Sequence, residues 1–455
     1  EGDAYNDYIR GGVNLLPSQM GLAATGDPAN ACRAAKAVGR QLRALGAHMI
    51  HSPVLEVNVN PAHPEVNFRA FGDEAQTVAE YASQALRGYR EAGITAVAKH
   101  FPGRGASGGD AHYDLCYYEH DAQQMRAIDL LPYRRLIGEG LEAIMVAHTV
   151  YPGLGDGERP ASVSPAVVRD VLRGELGFEG VVTTDSITMR GLLNMFGLPE
   201  ACLRALEVGN DLILYRGYLR EFAPVVEHIE EAVRAGRLAE DVLDDRVGRV
   251  LAYKARAGIA DAPLVDLETV EEPLHDAEIV RLSRELPAKT AQWIRRGSAA
   301  RLAGDTKVLV AEQCNRFAWQ ANDVWYHPGM LWEAMTAASD DPDNVRVVEC
   351  TMTGTDDFPR IAAQAEGADV IVATSYYCRT TDHNLELIRK IVSLGTPVVA
   401  VTNNPFLAKE LLICDSVLLL FSGNPRGLQA LSDILYGSAE PSGHWPLTNY
   451  AKPAP

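Results

Sequence analysis

The sequence predicts an α/β protein: a TIM-type (β/α)8 barrel that lacks its first strands in this chain, followed by a second α/β sandwich domain. Three observations carry this expectation. Short apolar runs alternate with amphipathic segments from about residue 27 to 257, the pattern of parallel strands joined by crossover helices. Polar groups stand at the C-terminal ends of those runs, the face on which barrel active sites form. From Thr306 a second series of Val- and Leu-rich runs begins.

The first series reads "HMIHSPVLEV", "ITAVAKHF", "EAIMVAHT", "GVVTTD" and "DLILY". Each run is rich in Val, Ile or Leu, which suits parallel strands buried on both faces. Helical segments are expected near 73–92, 122–139, 164–176 and 198–208. Glu56, Lys99 with His100, His148 and Asp185 fall at strand ends. An open doubly wound sheet would gather its site at one switch point, so four polar strand ends favour the barrel. Five strands are three short of a closed barrel; the expectation is that the missing ones precede residue 1. The predicted boundaries are 1–260 for the barrel, 261–305 for a helical linker, and 306–455 for the sandwich domain. Its strands are "KVLVAEQ", "VRVVECT", "DVIVATSY", "PVVAVTNN" and "SVLLLFSG". No repeat joins the two halves.

The chain of 455 residues has 42 basic and 60 acidic side chains, a formal charge of −18. Such a balance argues against nucleic acid or an anionic membrane as the main partner. No apolar run approaches the length that spans a bilayer, and no basic segment with an apolar core opens the sequence. Seven scattered cysteines without CxxC argue against a disulfide framework or a zinc site and weigh towards the cytoplasm.

The densest chemistry lies in "KHFPGRGASGGDAHYDL", residues 99–115. Lys99 and His100 close a strand, and a glycine-rich run leads to Asp110 and His112. A carboxylate two residues from an imidazole can accept its N–H and fix its tautomer; an isolated D-x-H is equally a surface turn. Asp185, in "GFEGVVTTDSITM", directly follows an apolar strand, where a carboxylate serves as helix cap, metal ligand or nucleophile. Glu56 and Arg69, in "SPVLEVNVNPAHPEVNFRAFGDE", read either as a surface ion pair or as groups that hold substrate hydroxyls. No HxxxH or HEXXH pattern is present, and "GRGASGG" lacks a P-loop ending. No metal and no cofactor are expected.

Together these stretches resemble the bacterial β-N-acetylglucosaminidases of glycoside hydrolase family 3. "KHFPGRGASGGDAHYDL" is similar to that family's KHFPGHG loop with its Asp-x-His dyad, and "GVVTTDSITMRGL" to its nucleophile strand. "MVAHTVYP", "ALEVGNDLILY" and "PSGHWPLT" also fit. The resemblance implies Asp185 as nucleophile and Asp110 with His112 as the acid/base dyad on a mobile loop. It implies sugar contacts from Arg69, Lys99, His100, Glu56 and His148. It also implies that the strands are the family's fourth to eighth. Two positions depart from the pattern: Arg104 replaces the second His of KHFPGHG, and Glu56 stands where Asp is usual.

The implied activity is retaining, exo-acting cleavage of terminal β-linked N-acetylglucosamine from an oligosaccharide or other small glycoside. The Asp110–His112 dyad with Arg104 also raises phosphate as acceptor, which would make a phosphorylase. Another β-glycosidase and a non-catalytic carbohydrate-binding protein are the remaining alternatives. A homodimer, in which a second chain supplies strands, is a further expectation.

Overall fold

The computed structural model describes residues 12–261, 264–313, 329–351, 354–376 and 384–454. The chain forms two compact units. One comprises residues 35–66 and 72–271; the other gathers the residues before 35, the segment 67–71 and everything from 272 onward.

In the first unit a parallel sheet runs in the order Met49–Ile50, Thr95–Phe101, Ala143–Val146, Val181–Thr184. Met49 pairs with Thr95, Val97 with Ala143, and Ala143 with Val181. A bridge from Thr183 to Leu212 marks a fifth position. All seven residues of Thr95–Phe101 are buried, as a continuous apolar run covered on both faces requires. The five expected strands therefore lie side by side in order, although "HMIHSPVLEV" keeps only two strand residues plus a bridge from Val54 to Lys99. No pairing joins the two edges of this sheet among the described residues, so the barrel expectation is met here only as an open run of parallel strands.

Crossover helices cover the sheet. Ala75–Glu91 starts at Glu74, whose carboxylate accepts the N–H groups of Gln76 and Thr77, satisfying donors that have no partner within the helix. Its Val78, Ala82, Ala85, Leu86 and Tyr89 are buried, the three-to-four spacing of one helix face. The helix expected over 122–139 is continuous but changes winding: Ala122–Gln124 and Leu130–Gly138 flank a π-turn at Met125–Asp129.

The second unit holds a six-stranded sheet in the order Val345–Cys350, Val308–Gln313, Val370–Ser375, Val398–Thr402, Ser416–Leu419, Gln292–Arg295. The first five are parallel and the last is antiparallel. Side chains alternate between two cores. Leu309, Ile371 and Ala400 face one, with Ile361, Ile388 and Leu411; Val310, Val372 and Val401 face the other, with Leu331, Met335 and Leu431. This is the two-sided cover that the apolar runs predicted.

The observed units differ from the predicted boundaries at three places, one being the segment 67–71 that groups with the second unit. Helix Gln19–Ala24 belongs with the second unit, where the His444 N–H donates to the Ala24 carbonyl at 2.6 Å. The segment read as a helical linker supplies Ala277–Thr290 and the edge strand Gln292–Arg295 to that same unit. "QWIR" is too short for periodicity to separate strand from helix. No helix among the described residues is long and apolar enough to cross a membrane.

Candidate active site

Strand Thr95–Phe101 delivers Lys99 and His100, both buried, and leads into the glycine-rich loop. The Lys99–His100 peptide is cis. The His100 backbone N–H donates to Glu56 Oε1 at 3.0 Å, and its Nδ1 lies 2.7 Å from the same oxygen. Its other ring nitrogen, Nε2, is 3.7 Å from Asp185 Oδ2. His100 thus connects the carboxylates of two strand ends.

Arg104 follows on the loop and is buried. Its Nη1 donates to Glu65 Oε2 at 2.8 Å, its Nε lies 3.6 Å from Glu56 Oε1, and its Nη2 is 3.2 Å from His100 Nδ1. Two buried carboxylates therefore share one guanidinium, which offsets part of the cost of removing those charges from water. The guanidinium is thus engaged by protein carboxylates.

Asp185 ends strand Val181–Thr184. Its N–H continues the sheet by donating to the Val146 carbonyl at 2.9 Å, and its Oδ1 accepts the Ser186 N–H at 2.7 Å. Burial pushes its carboxyl up, but opposing effects, the Arg104 charge foremost, hold it below the ordinary value. The group is ionised throughout the neutral range. The acid limb of any activity that depends on it falls below the usual carboxylate range.

His112 lies 2.7 Å from Asp110 Oδ1 through Nδ1, and its backbone N–H donates to the same oxygen at 2.8 Å. The D-x-H turn is thus built as the sequence suggested, with the ring nitrogen beyond the turn left to face away from Asp110. Glu65 Oε1 is also 2.7 Å from Nδ1.

The loop that carries this pair is anchored at several points. The Tyr151 hydroxyl donates to the Gly103 carbonyl at 2.9 Å, and Asn60 Nδ2 donates to the Ser107 carbonyl at 2.9 Å. Tyr118 Oη accepts the Ala106 N–H at 3.1 Å and donates to the buried Asp129 at 2.5 Å, which also takes His120 Nδ1 at 2.7 Å. At the far end the Arg190 and Gly191 N–H groups reach the carbonyls of His112 and Ala111, each at 3.3 Å. These bonds hold the two ends of the loop in the conformation observed. Gly105 is the tightest point: a Cβ there would lie 1.7 Å from the Val57 carbonyl oxygen. Gly105→Ala is expected to destabilise the protein by about 1–3 kcal/mol and to displace the dyad; a thermal melt together with kcat measures both effects.

His148 requires a correction. It is expected among the substrate contacts, but the protein engages both of its ring nitrogens. Its Nε2 faces the Ser186 carbonyl at 3.0 Å, and its Nδ1 meets Ser162 Oγ at 2.7 Å. A carbonyl only accepts, so Nε2 carries the proton and Nδ1 accepts from the serine. Burial lowers the His148 pKa and keeps the ring neutral. Both nitrogens are engaged, and the ring supports the turn after Asp185. Arg69 is buried in the short 3-10 turn Asn67–Arg69, on the segment that clusters with the second unit. Within the first unit, contacts link Glu56, His100, Arg104, Glu65, Asp110, His112 and Asp185, and Lys99 precedes His100 on its strand.

Among the described residues, Glu65, Asp110 and His112 alone place possible metal-ligand atoms within 4.8 Å of one another. Their contacts fit hydrogen bonding better. A metal on Nδ1 would need the lone pair that the Asp110 contact assigns to a proton, and it would stand beside the Arg104 guanidinium. Glu65, Asp129 and Tyr118 were missed in the sequence. Spacing gives no sign of a carboxylate 45 positions before Asp110; the only available signal was Arg104, since a buried arginine demands an acidic partner.

Residues 4–253 match the family description "Glycosyl hydrolase family 3 N terminal domain". The chain belongs to glycosyl hydrolase family 3. A family 3 β-N-acetylglucosaminidase from Paenibacillus sp. str. FPU-7 superposes with a TM-score of 0.91 at 29% identity, over 98% of this chain and 85% of that one. The β-N-acetylglucosaminidase/β-glucosidase of Cellulomonas fimi is 31% identical over 287 residues, which are 61% of this chain and 50% of that relative. The β-hexosaminidase LpqI of Mycobacterium tuberculosis is 36% identical over 244 residues, 52% of this chain and 62% of that protein. The family 3 chain described here thus spans about half to two thirds of the length of these curated relatives.

Proposed function

We propose that this chain carries the catalytic centre of a retaining, exo-acting β-N-acetylglucosaminidase, and that its parallel sheet is part of a TIM-type barrel. The observation that carries the reading is Asp185, an ionised carboxylate at a strand end with His100 at 3.7 Å and the His112 charge acting on it. In this reading Asp185 attacks the anomeric carbon and forms a glycosyl-enzyme. His112 first protonates the leaving oxygen and then takes the proton of the attacking water, a task suited to an imidazole near neutral pH. Asp110 fixes the tautomer and stabilises the imidazolium. His100 and Lys99 hold sugar hydroxyls, with Glu56 orienting His100. The Paenibacillus β-N-acetylglucosaminidase and the β-hexosaminidase relatives support the amino-sugar assignment.

The test is turnover of an aryl β-N-acetylglucosaminide followed by proton NMR. The expected result is turnover well above that of the matching β-glucoside, with the β-anomer of N-acetylglucosamine appearing first. Formation of the α-anomer first excludes a covalent intermediate on Asp185. Absence of turnover by the folded protein leaves the carbohydrate-binding alternative.

A further inference from the structure

His112 Nδ1 has two carboxylate neighbours at the same distance. Asp110, two residues away on the loop, meets the geometry of a hydrogen bond at 2.7 Å. Glu65, from the segment before the loop, is also at 2.7 Å through Oε1. Its other oxygen, Oε2, holds Arg104 Nη1 at 2.8 Å. Glu65 is 1% exposed in its side chain and Arg104 2%, whereas His112 is 31% exposed. An acid this deeply buried beside a second carboxylate is tolerable only with compensating positive charge, and Arg104 supplies it.

We propose that Glu65, with Arg104 as its counter-ion, is a second orienting carboxylate for His112 and ties the acid/base loop to the floor of the site. The proposal rests on the reading of His112 as acid/base. The Nδ1 hydrogen bond goes to Asp110 Oδ1, which belongs to the loop, while Glu65 Oε1 stands at the same distance as a charge contact from a segment outside the loop. Glu65 therefore favours both the docked position of the loop and the protonated ring. Arg104 restrains the second effect, because its own charge opposes the imidazolium. The pair also explains why an arginine works at a position where the KHFPGHG pattern has histidine: Arg104 has a partner waiting in Glu65. Glu65 acts through His112 and is a positioning residue.

The charged groups acting on the ring are Asp110 on its own loop, Glu65 with its partner Arg104, and Asp185; Asp114 and Cys116 follow on the same stretch of chain, and the Arg190 backbone N–H meets the His112 carbonyl. Only Glu65 and Arg104 change in the test. Glu65→Gln keeps the shape and removes the charge. With an opposite charge removed, the ring loses its proton more easily. The alkaline limb of kcat/KM is expected to move to lower pH, so that activity measured above that limb falls about tenfold, the effect of one pH unit. The limb in Arg104→Gln moves to higher pH, with the acid limb also rising because Asp185 loses its largest opposing charge. In the double variant Glu65→Gln/Arg104→Gln the alkaline limb returns towards the wild-type position.

A role confined to packing would lower activity without moving either limb, and that result overturns the proposal. NMR titration of the His112 ring, identified by the signal missing in His112→Gln, reads the same shift without substrate. It separates failure of this proposal from failure of the glycosidase reading. If Glu65→Gln alone does not fold, the difference between Arg104→Gln and the double variant isolates Glu65. No difference in the His112 midpoint between those two also overturns the proposal.

Discussion

Asp185→Ala is expected to lose about 10³-fold or more in kcat on an aryl β-N-acetylglucosaminide, the scale of removing a nucleophile that acts as part of a unit. The physical basis is local. The carboxylate is fixed by the Ser186 N–H at 2.7 Å and lies 3.7 Å from His100 Nε2, and no other carboxylate takes its place at that strand end. Glu56, at another strand end, is fully buried and engaged by His100 and Arg104. The variant should fold, because strand Val181–Thr184 is paired through residues 181–184 with Ala143–Val146, and circular dichroism checks this. Added azide fits the volume vacated by the carboxylate and attacks from the same face. Activity should return with formation of the α-glycosyl azide. Retention of full activity by the variant would move the nucleophile to another residue.

His112→Ala gives the second large effect, and its size depends on the leaving group. General acid/base catalysis contributes about 10²–10⁴-fold, so a glycoside with an alkoxide leaving group should slow by that amount. A dinitrophenyl leaving group needs no proton to depart. With it the first step survives, and the glycosyl-enzyme accumulates because water lacks a base. A burst of dinitrophenol followed by slow turnover is the expected trace. Azide then accelerates the second step and yields the β-azide, opposite to the product from Asp185→Ala. Equal slowing with both leaving groups would remove His112 from the acid/base role. Asp110→Asn should fall between these limits. Its carboxylate is one of two at 2.7 Å from Nδ1, and Glu65 keeps a negative charge beside the ring.

Much of the site was legible because the chemistry lies in short sequence stretches. Asp110 and His112 are two residues apart, and a turn of that length brings carboxylate and ring together whatever surrounds it. Lys99, His100 and Asp185 follow apolar runs, so strand pairing alone sets them on one edge of the sheet. His148 misled for the same reason. It also follows a strand, but Ser162 and the Ser186 carbonyl take both of its nitrogens, and neither partner is close to it in sequence.

The sequence by itself determined the alternation of strands and helices, the parallel order of the first unit's strands, the two-sided second sheet and the short-range Asp110–His112 pair. Each follows from periodicity or from contacts within a few residues. Only the tertiary structure decided which buried charges meet. Arg104 reaches Glu65 across 39 residues and approaches Glu56 across 48, and Asp129 fixes the loop through Tyr118. Desolvated charges must find partners wherever the fold supplies them, and that demand leaves no mark on local sequence spacing.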